Sequence, residues 1–443
     1  MRFTITRSVL TLSLLIAGAM PAVADVGKPV AVRWWGQSFV TIETYWNLHI
    51  AIDPYSMEIG YDDPGVSAHL VLLTHDHADH ANAPLIKGDP TVVRGLDENG
   101  SVRSVDLVLD RMPNEPDPVV LAAGDRRSKS PHAVRLRTIS SFHDHQNGDL
   151  RGQNAIVVVE IDGVRIAHLG DFGQNELSEP QTKALTGVDV LLIPVGGVYT
   201  IDGATAARIT AEIGPRFVVP IHFKTDSLTI ELETDDAFLA ALPDRFRQVD
   251  AVGNTLAVSA LRPEVREQPA VVRLRPRPWE MSAEMKDLFA RKETAARATQ
   301  SVFAPLSARQ MNHRPSDGTH SPRWNVEHMM GRELGFFSSI YSNLESQIPM
   351  LDLNPRQMPE DYEPAHRDWT GAEEARQIER VQAFTRRFAY LLDGIDLESK
   401  PEGSPWKLRP LLRQMERHYG EHTANVKRKF ELPDWPAESG ERQ

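Results

Sequence analysis

The sequence predicts an α/β domain followed by an all-α domain, and three observations carry that reading. Short β-like runs bounded by turn residues fill the chain from Pro29 to about Leu261. A stretch with helical spacing stands between two of those runs, which makes the pattern α/β and not all-β. From Ser282 onward the β pattern stops, and apolar residues recur at helical spacing. The 443 residues exceed one ordinary domain. A content of 41% hydrophobic and 25% charged residues is that of a globular chain.

Residues 1–24 read as a secretory signal peptide, which implies a periplasmic or secreted protein. Arg2 and Arg7 precede an apolar run from Val9 to Ala19, and Ala22-Val23-Ala24 is a small-x-small cleavage site. In the first domain, 25–262, Val30–Trp35, Phe39–Glu43, His49–Asp53 and Leu70–Leu73 read as strands. Ala155–Ile161 and Val164–Leu169 flank Asp162-Gly163, a tight-turn pair that predicts a hairpin. Val188–Pro194 and Phe217–Ile221 are buried-type strands with the helical Ala204–Ile213 between them. Residues 263–281 read as a linker, because Arg262–Pro278 is rich in Pro and Arg. In the second domain, 282–432, Ser282–Gln300 is helical, and Ser321 caps a helix with Pro322 at its first position. Glu373–Leu392 and Leu408–Phe430 complete a set that predicts a four-helix bundle. Residues 433–443 read as a frayed tail.

Composition narrows the chemistry. There is no cysteine, which removes disulfides, thiolate metal ligands and cysteine nucleophiles together. Any metal must be held by His and carboxylate. The formal charge of −12 argues against nucleic acid as a partner, since that affinity rests on neutralising phosphates. A small-molecule substrate is the expected partner. Membrane contact and oligomeric state are left open.

The strongest local signal is His75-Asp76-His77-Ala78-Asp79-His80, directly after the apolar run Leu70–Leu73. His75 and His77 stand two apart, so an extended strand end points both rings the same way. Asp79 and His80 begin the turn and can face a second metal. Imidazole with carboxylate suits zinc and permits iron or manganese. Three later segments also carry candidate ligands: Ser140-Ser141-Phe142-His143, Ala167-His168-Leu169-Gly170-Asp171 and Val219-Pro220-Ile221-His222. His145 competes with His143. His168 reads as a hydrogen-bonded strand histidine in preference to a ligand.

These motifs, with Trp35-Gly36-Gln37-Ser38 and Ile52-Asp53-Pro54, resemble the metallo-β-lactamase superfamily over about Val30 to Ala260. The branch that includes the ascorbate-phosphate lactonase-like proteins is the closest within it. The resemblance implies an αββα sandwich with a binuclear zinc centre. It implies His75, His77 and His143 on one metal, Asp79, His80 and His222 on the other, and Asp171 bridging. Asp79 and Asp171 would then serve catalysis, and a metal-bound hydroxide would attack an ester, lactone, amide or phosphodiester bond. A di-iron branch that reduces oxygen or nitric oxide carries Glu where His77 stands, so His77 favours hydrolysis. Tyr199, in Gly196-Gly197-Val198-Tyr199-Thr200, and Lys224 are candidate substrate contacts, and Asn154 is a weaker one.

A second constellation lies in the helical half. His418 and His422 are i and i+4 and share a face with Leu411, Met415 and Val426. The segments Leu306–Met311, Ser321–His328 and Met415–His422 resemble a DinB-like four-helix bundle, in which three histidines commonly hold one divalent metal. His328, His418 and His422 are the implied set. Many members carry the second-helix His at the position of Arg332, which would leave the site metal-free. His418-Tyr419-Gly420-Glu421-His422 also matches the inverted zinc-peptidase motif. Two other functions remain beside a metal-dependent hydrolase: a non-catalytic, metal-stabilised binding protein, and a lipid phosphodiesterase at the membrane surface.

Overall fold

A computed structural model describes residues 28–111, 118–125, 130, 132–260, 268–357 and 362–436. The expected signal peptide at 1–24 lies outside them. Among the described residues there are fifteen strands: β1 Val30–Gly36, β2 Phe39–Glu43, β3 His49–Ile52, β4 Leu70–Leu73, β5 Thr91–Arg94, β6 Asp106–Asp110, β7 Val119–Ala122, β8 Val134–Phe142, β9 Gln153–Ile161, β10 Val164–His168, β11 Val190–Pro194, β12 Phe217–Ile221, β13 Arg247–Asp250, β14 Thr255–Val258 and β15 Ala270–Arg273. They form two sheets, in the orders β14-β1-β2-β3-β4-β5 and β13-β15-β12-β11-β10-β9-β8-β6-β7.

Alternation along the strands builds the sandwich. Val30, Val32 and Trp34 of β1 enter a core shared with Ile156, Val158, Ile166 and Leu192 of the larger sheet. Ala31 and Trp35, one residue out of phase, face other clusters. The β9–β10 hairpin turns at Asp162 and Gly163, both with positive φ (47° and 79°), as a two-residue turn between twisted strands requires. Short helices α1 Glu179–Leu185, α2 Gly203–Ile213 and α3 Asp236–Ala241 fall between strands of the larger sheet.

The expected linker is corrected in part. Ala270–Arg273 pairs in parallel with both β12 and β13, inside the larger sheet. Four residues of Ala-Val-Val-Arg between Pro- and Arg-rich flanks gave too short a β signal to stand out.

The second half contains α4 Ala283–Phe303, α5 Ala308–Met311, α6 Pro322–Leu344, α7 Gly371–Arg387 and α8 Leu408–Lys429. Ser282 and Ser321 cap α4 and α6, and Pro322 opens α6. The long helices α4, α6, α7 and α8 share one core, which also takes in Ala31 and Ala257 from the smaller sheet and Tyr45 from its β2–β3 turn. The bundle therefore covers part of that sheet's outer face. The expected frayed tail at 433–443 is corrected for its first four residues, and 437–443 lie outside the described residues. Trp435 packs on Phe430 and His313, and the Pro436 carbonyl accepts from Gln310 Nε2 at 3.2 Å. Among the described residues no helix is long and apolar enough to cross a membrane.

Candidate metal centre

The C-terminal ends of β4, β8, β10 and β12 converge on one spot, and each delivers a candidate ligand one to three residues beyond its last strand residue or, for β4, within the following turn. His75, His77, His143 and Asp171 form one group whose ligand atoms lie within 4.8 Å of one another. Asp79, His80, Asp171 and His222 form a second on the same criterion. Asp171 belongs to both. His75, His80, His143, Asp171 and His222 are buried, whereas His77 is exposed, so the centre opens on the His77 side.

The donor set fits a metal. His75 Nε2, His80 Nε2 and Asp171 Oδ1 are buried without a hydrogen-bond partner. Such groups are costly unless an ion satisfies them. Thr74 Oγ1 donates to Asp53 Oδ2 at 2.7 Å, so His75 Nδ1, at 3.0 Å from that hydroxyl, is the donor to it. This leaves His75 Nε2 with its lone pair inward. His80 Nδ1 donates to the same Asp53 oxygen at 3.0 Å. One buried carboxylate thus sets the orientation of two ligand imidazoles, the outer-shell pattern of metal-binding histidines.

Burial, with the neighbouring His80, pushes His75 well below its ordinary pKa, and burial with His143 lowers His77. Burial opposes charge on His80, but Asp171 and Asp79 outweigh it and hold its pKa well above the ordinary value. Burial would raise Asp171, yet His222 and His80 hold it well below the carboxylate range. An anionic Asp171 thus stands among imidazoles of which His75 and His77 are held neutral, and a divalent cation binds neutral imidazole and ionised carboxylate.

The sequence motifs contain the residues around the candidate ligands but do not show what they do. Gln37 Nε2 donates to Asp79 Oδ2 at 2.8 Å, and the Gln37 carbonyl accepts from His222 N at 2.9 Å. Gln37, Asp53 and His222 all have φ near +50° (49°, 53° and 51°), a strained region for such residues that tends to mark functional sites. Asn154 is wholly used as scaffold. Its amide donates to Ser141 Oγ and Leu169 O, both at 2.8 Å, and its oxygen accepts from Asp171 N at 3.0 Å. A Cβ at Gly170 would come within 2.3 Å of that oxygen, so the turn carrying Asp171 needs glycine there.

The remaining candidates sort clearly. His145 is exposed, away from the buried group that His143 joins. His168 is spent on hydrogen bonds, with Nε2 at 2.8 Å from Ser38 O and Nδ1 accepting from Gly170 N at 3.1 Å. Lys224 as a substrate contact is corrected: its Nζ donates to Leu228 O at 2.6 Å and Ile230 O at 3.3 Å, closing its own loop. Tyr199 is exposed, with its ring beneath the Arg151 guanidinium.

In the bundle, His328, His418 and His422 come within 4.8 Å of one another. His328 Nδ1 meets Gln357 Oε1 at 3.0 Å, and His422 Nδ1 meets Asn325 Oδ1 at 2.8 Å. Burial and the neighbouring imidazoles push His418 down to about 3 and His422 down to about 4, so both rings are neutral at pH 7. The charge of Arg332 also lowers His328 and His418. Glu421 points to solvent beside Arg417, at 3.6 Å, which removes the peptidase reading of this helix.

Comparison with known proteins agrees with the two halves. Residues 31–222 match the family model of the beta-lactamase superfamily domain, and 292–426 match that of the DinB superfamily. A UPF0173 metal-dependent hydrolase of Myxococcus xanthus is 30% identical over 233 residues, covering 48% of this chain and 80% of the relative. One of Thermococcus onnurineus is 26% identical over 238 residues, covering 53% of this chain and 97% of the relative. A solved structure from Thermotoga maritima, named for a zinc-dependent hydrolase of the metallo-β-lactamase superfamily, is 26% identical. The match covers 56% of this chain and all of that one, at a TM-score of 0.36.

Proposed function

We propose, from the premise that the chain belongs through its N-terminal domain to the UPF0173 metal-dependent hydrolases of the metallo-β-lactamase superfamily, that it is a binuclear zinc hydrolase of small ester, lactone, amide or phosphodiester substrates. The single observation behind the binuclear reading is the pair of four-residue groups that share Asp171. His75, His77 and His143 would hold one ion, Asp79, His80 and His222 the other, and Asp171 would bridge. Zinc bound there supplies an acidified water and a Lewis acid for the carbonyl or phosphoryl oxygen. The chain's own part is to hold these groups rigid. Asp53 fixes the tautomers of His75 and His80, Gln37 steadies Asp79, and Asn154 fixes the Asp171 turn. Asp79, with its side chain 20% exposed against 2% for Asp171, is the more accessible of the two carboxylates.

The test is metal content and turnover of the full chain. Wild type should carry about two zinc ions in the first domain, and His75→Ala/His80→Ala should lose both the metal and hydrolysis. Full metal occupancy in that variant sinks the ligand assignment. A third divalent ion at His328, His418 and His422 is supported by the outward Nδ1 contacts. His418→Ala/His422→Ala should then lose one metal and leave the other two. The N-terminal motif of 1–24 supports a periplasmic or secreted location, which sequencing of the mature N-terminus would test.

A further inference from the structure

Two loops that adjoin the candidate metal centre meet through Arg151. The first follows His143. Asp144 accepts backbone N–H groups from Gln146, Gly148, Leu150 and Arg151, at 2.7 to 3.0 Å, which makes the loop a fixed platform. His143 N donates to Gly152 O at 3.0 Å, closing it onto the ligand. The second loop spans Gly196 to Ile201. Gly196 N donates to His222 O at 3.1 Å, and Ile201 N donates to Phe172 O at 3.1 Å, so this loop is tied to two ligand-bearing turns.

Arg151 joins the loops. Its Nη2 donates to Val198 O at 3.2 Å, and its guanidinium lies 5.7 Å from the centroid of the Tyr199 ring. Val198 holds φ at 55°, strain that a β-branched residue adopts only when its surroundings impose it. The turn presents Val198 and Tyr199 to solvent, 53% and 40% exposed, and Leu150, next to Arg151 in the first loop, is 57% exposed. Arg151 is in no ion pair among the described residues. Glu233, whose carboxylate lies against Gly197, is not within salt-bridge distance of it. An uncompensated guanidinium between exposed apolar side chains, beside a metal centre, is a recognition surface with two chemistries.

We infer that Arg151, Leu150, Val198 and Tyr199 select substrates carrying an apolar stem and a negative charge remote from the scissile bond, with Arg151 taking the charge. This rests on the hydrolase reading for its location. Arg151 is a specificity residue, and its contribution is to binding.

A matched pair of probes tests it without turnover. Pentanoate and glutarate share a five-carbon stem and one carboxylate for the metals, and only glutarate has a second charge for Arg151. Calorimetry on the metal-loaded full chain should show glutarate binding about tenfold more tightly, the size of one charge-assisted hydrogen bond. Arg151→Ala should erase that preference, and Arg151→Lys should keep most of it. Tyr199→Ala should weaken both probes. Metal content and thermal melting of each variant report that the fold and centre are intact. Equal affinity for the two probes in wild type, or an undiminished preference in Arg151→Ala, overturns the inference, as does failure to bind either probe. Failure of the hydrolase reading would show separately, as absent turnover of esters by a protein that still prefers glutarate.

Discussion

At the scale of single residues, the centre depends on one carboxylate that does not itself belong to either ligand group. Asp53 accepts from Thr74 N and Thr74 Oγ1 and from His80 Nδ1, and through the threonine it fixes His75. Removing it frees two imidazoles to rotate and leaves a buried threonine hydroxyl unpaired. Asp53→Ala, and the isosteric Asp53→Asn as a gentler control, should weaken metal binding by about 10- to 100-fold, read by competition with a chelator. Unchanged affinity in both would mean that the ligand imidazoles are held by packing alone. That His75, His77, Asp79, His80, His143, Asp171 and His222 would gather was legible, because the first four lie within six residues and the later three each follow a strand. The supporting roles of Asp53, Gln37 and Asn154 were not, because they act across tertiary contacts of up to 42 residues' separation. Positive φ at Gln37 and Asp53 leaves no trace in sequence when the residue is not glycine.

At the scale of elements, strands with a strong β signal were legible almost to the residue, as β2, β4 and β12 illustrate. β15 was not, since its four residues gain their strand identity from pairing with β12 and β13. The bundle hid something else. Lys292 of α4 donates to Glu333 of α6 and Gln382 of α7, each at 2.5 Å, and Gln382 Nε2 donates to Glu333 Oε2 at 2.6 Å and to Tyr419 OH of α8 at 3.1 Å. Thr385 adds a donor to Glu333 at 2.9 Å. Lys and Glu are residue types that favour solvent, yet both are 0% exposed, and the network links all four long helices. Lys292→Met leaves a buried charge on Glu333 unpaired and should cost about 3–5 kcal/mol in urea unfolding. Lys292→Met with Glu333→Gln should recover part of that loss. A double variant as unstable as the single would show that the cost is steric and not electrostatic.

At the scale of the whole molecule, the two domains are joined by more than the chain between them. Ala31 and Ala257 of the smaller sheet, and Tyr45 of its β2–β3 turn, lie in the bundle's own core, so cutting between the domains would expose apolar surface on both. A charged cluster stands in the same seam. Glu43 of β2 receives Arg387 of α7 at 3.0 Å and Arg33 of β1 at 2.8 Å, and Arg387 is 4% exposed. Burial would raise the Glu43 carboxyl, but Arg33 and Arg387 bring it down from its ordinary 4.5 to about 2. A carboxyl with a depressed folded-state pKa adds stability above its ordinary value and loses it as pH falls through the folded one. The stabilisation from Glu43 is therefore present above about pH 4.5 and fades toward pH 2, and is worth about 3 kcal/mol when complete. Glu43→Gln removes that dependence and strands Arg387 in the seam. The stability difference between wild type and Glu43→Gln should hold near its maximum at neutral pH and shrink steadily between pH 4.5 and 2, because other titrating groups cancel in the difference. Metal content of the variant should match wild type, since the seam is separate from both histidine groups. A pH-independent difference would mean that Glu43 holds the domains by shape, and a lost metal would mean that the bundle's docking supports the centre beneath the smaller sheet.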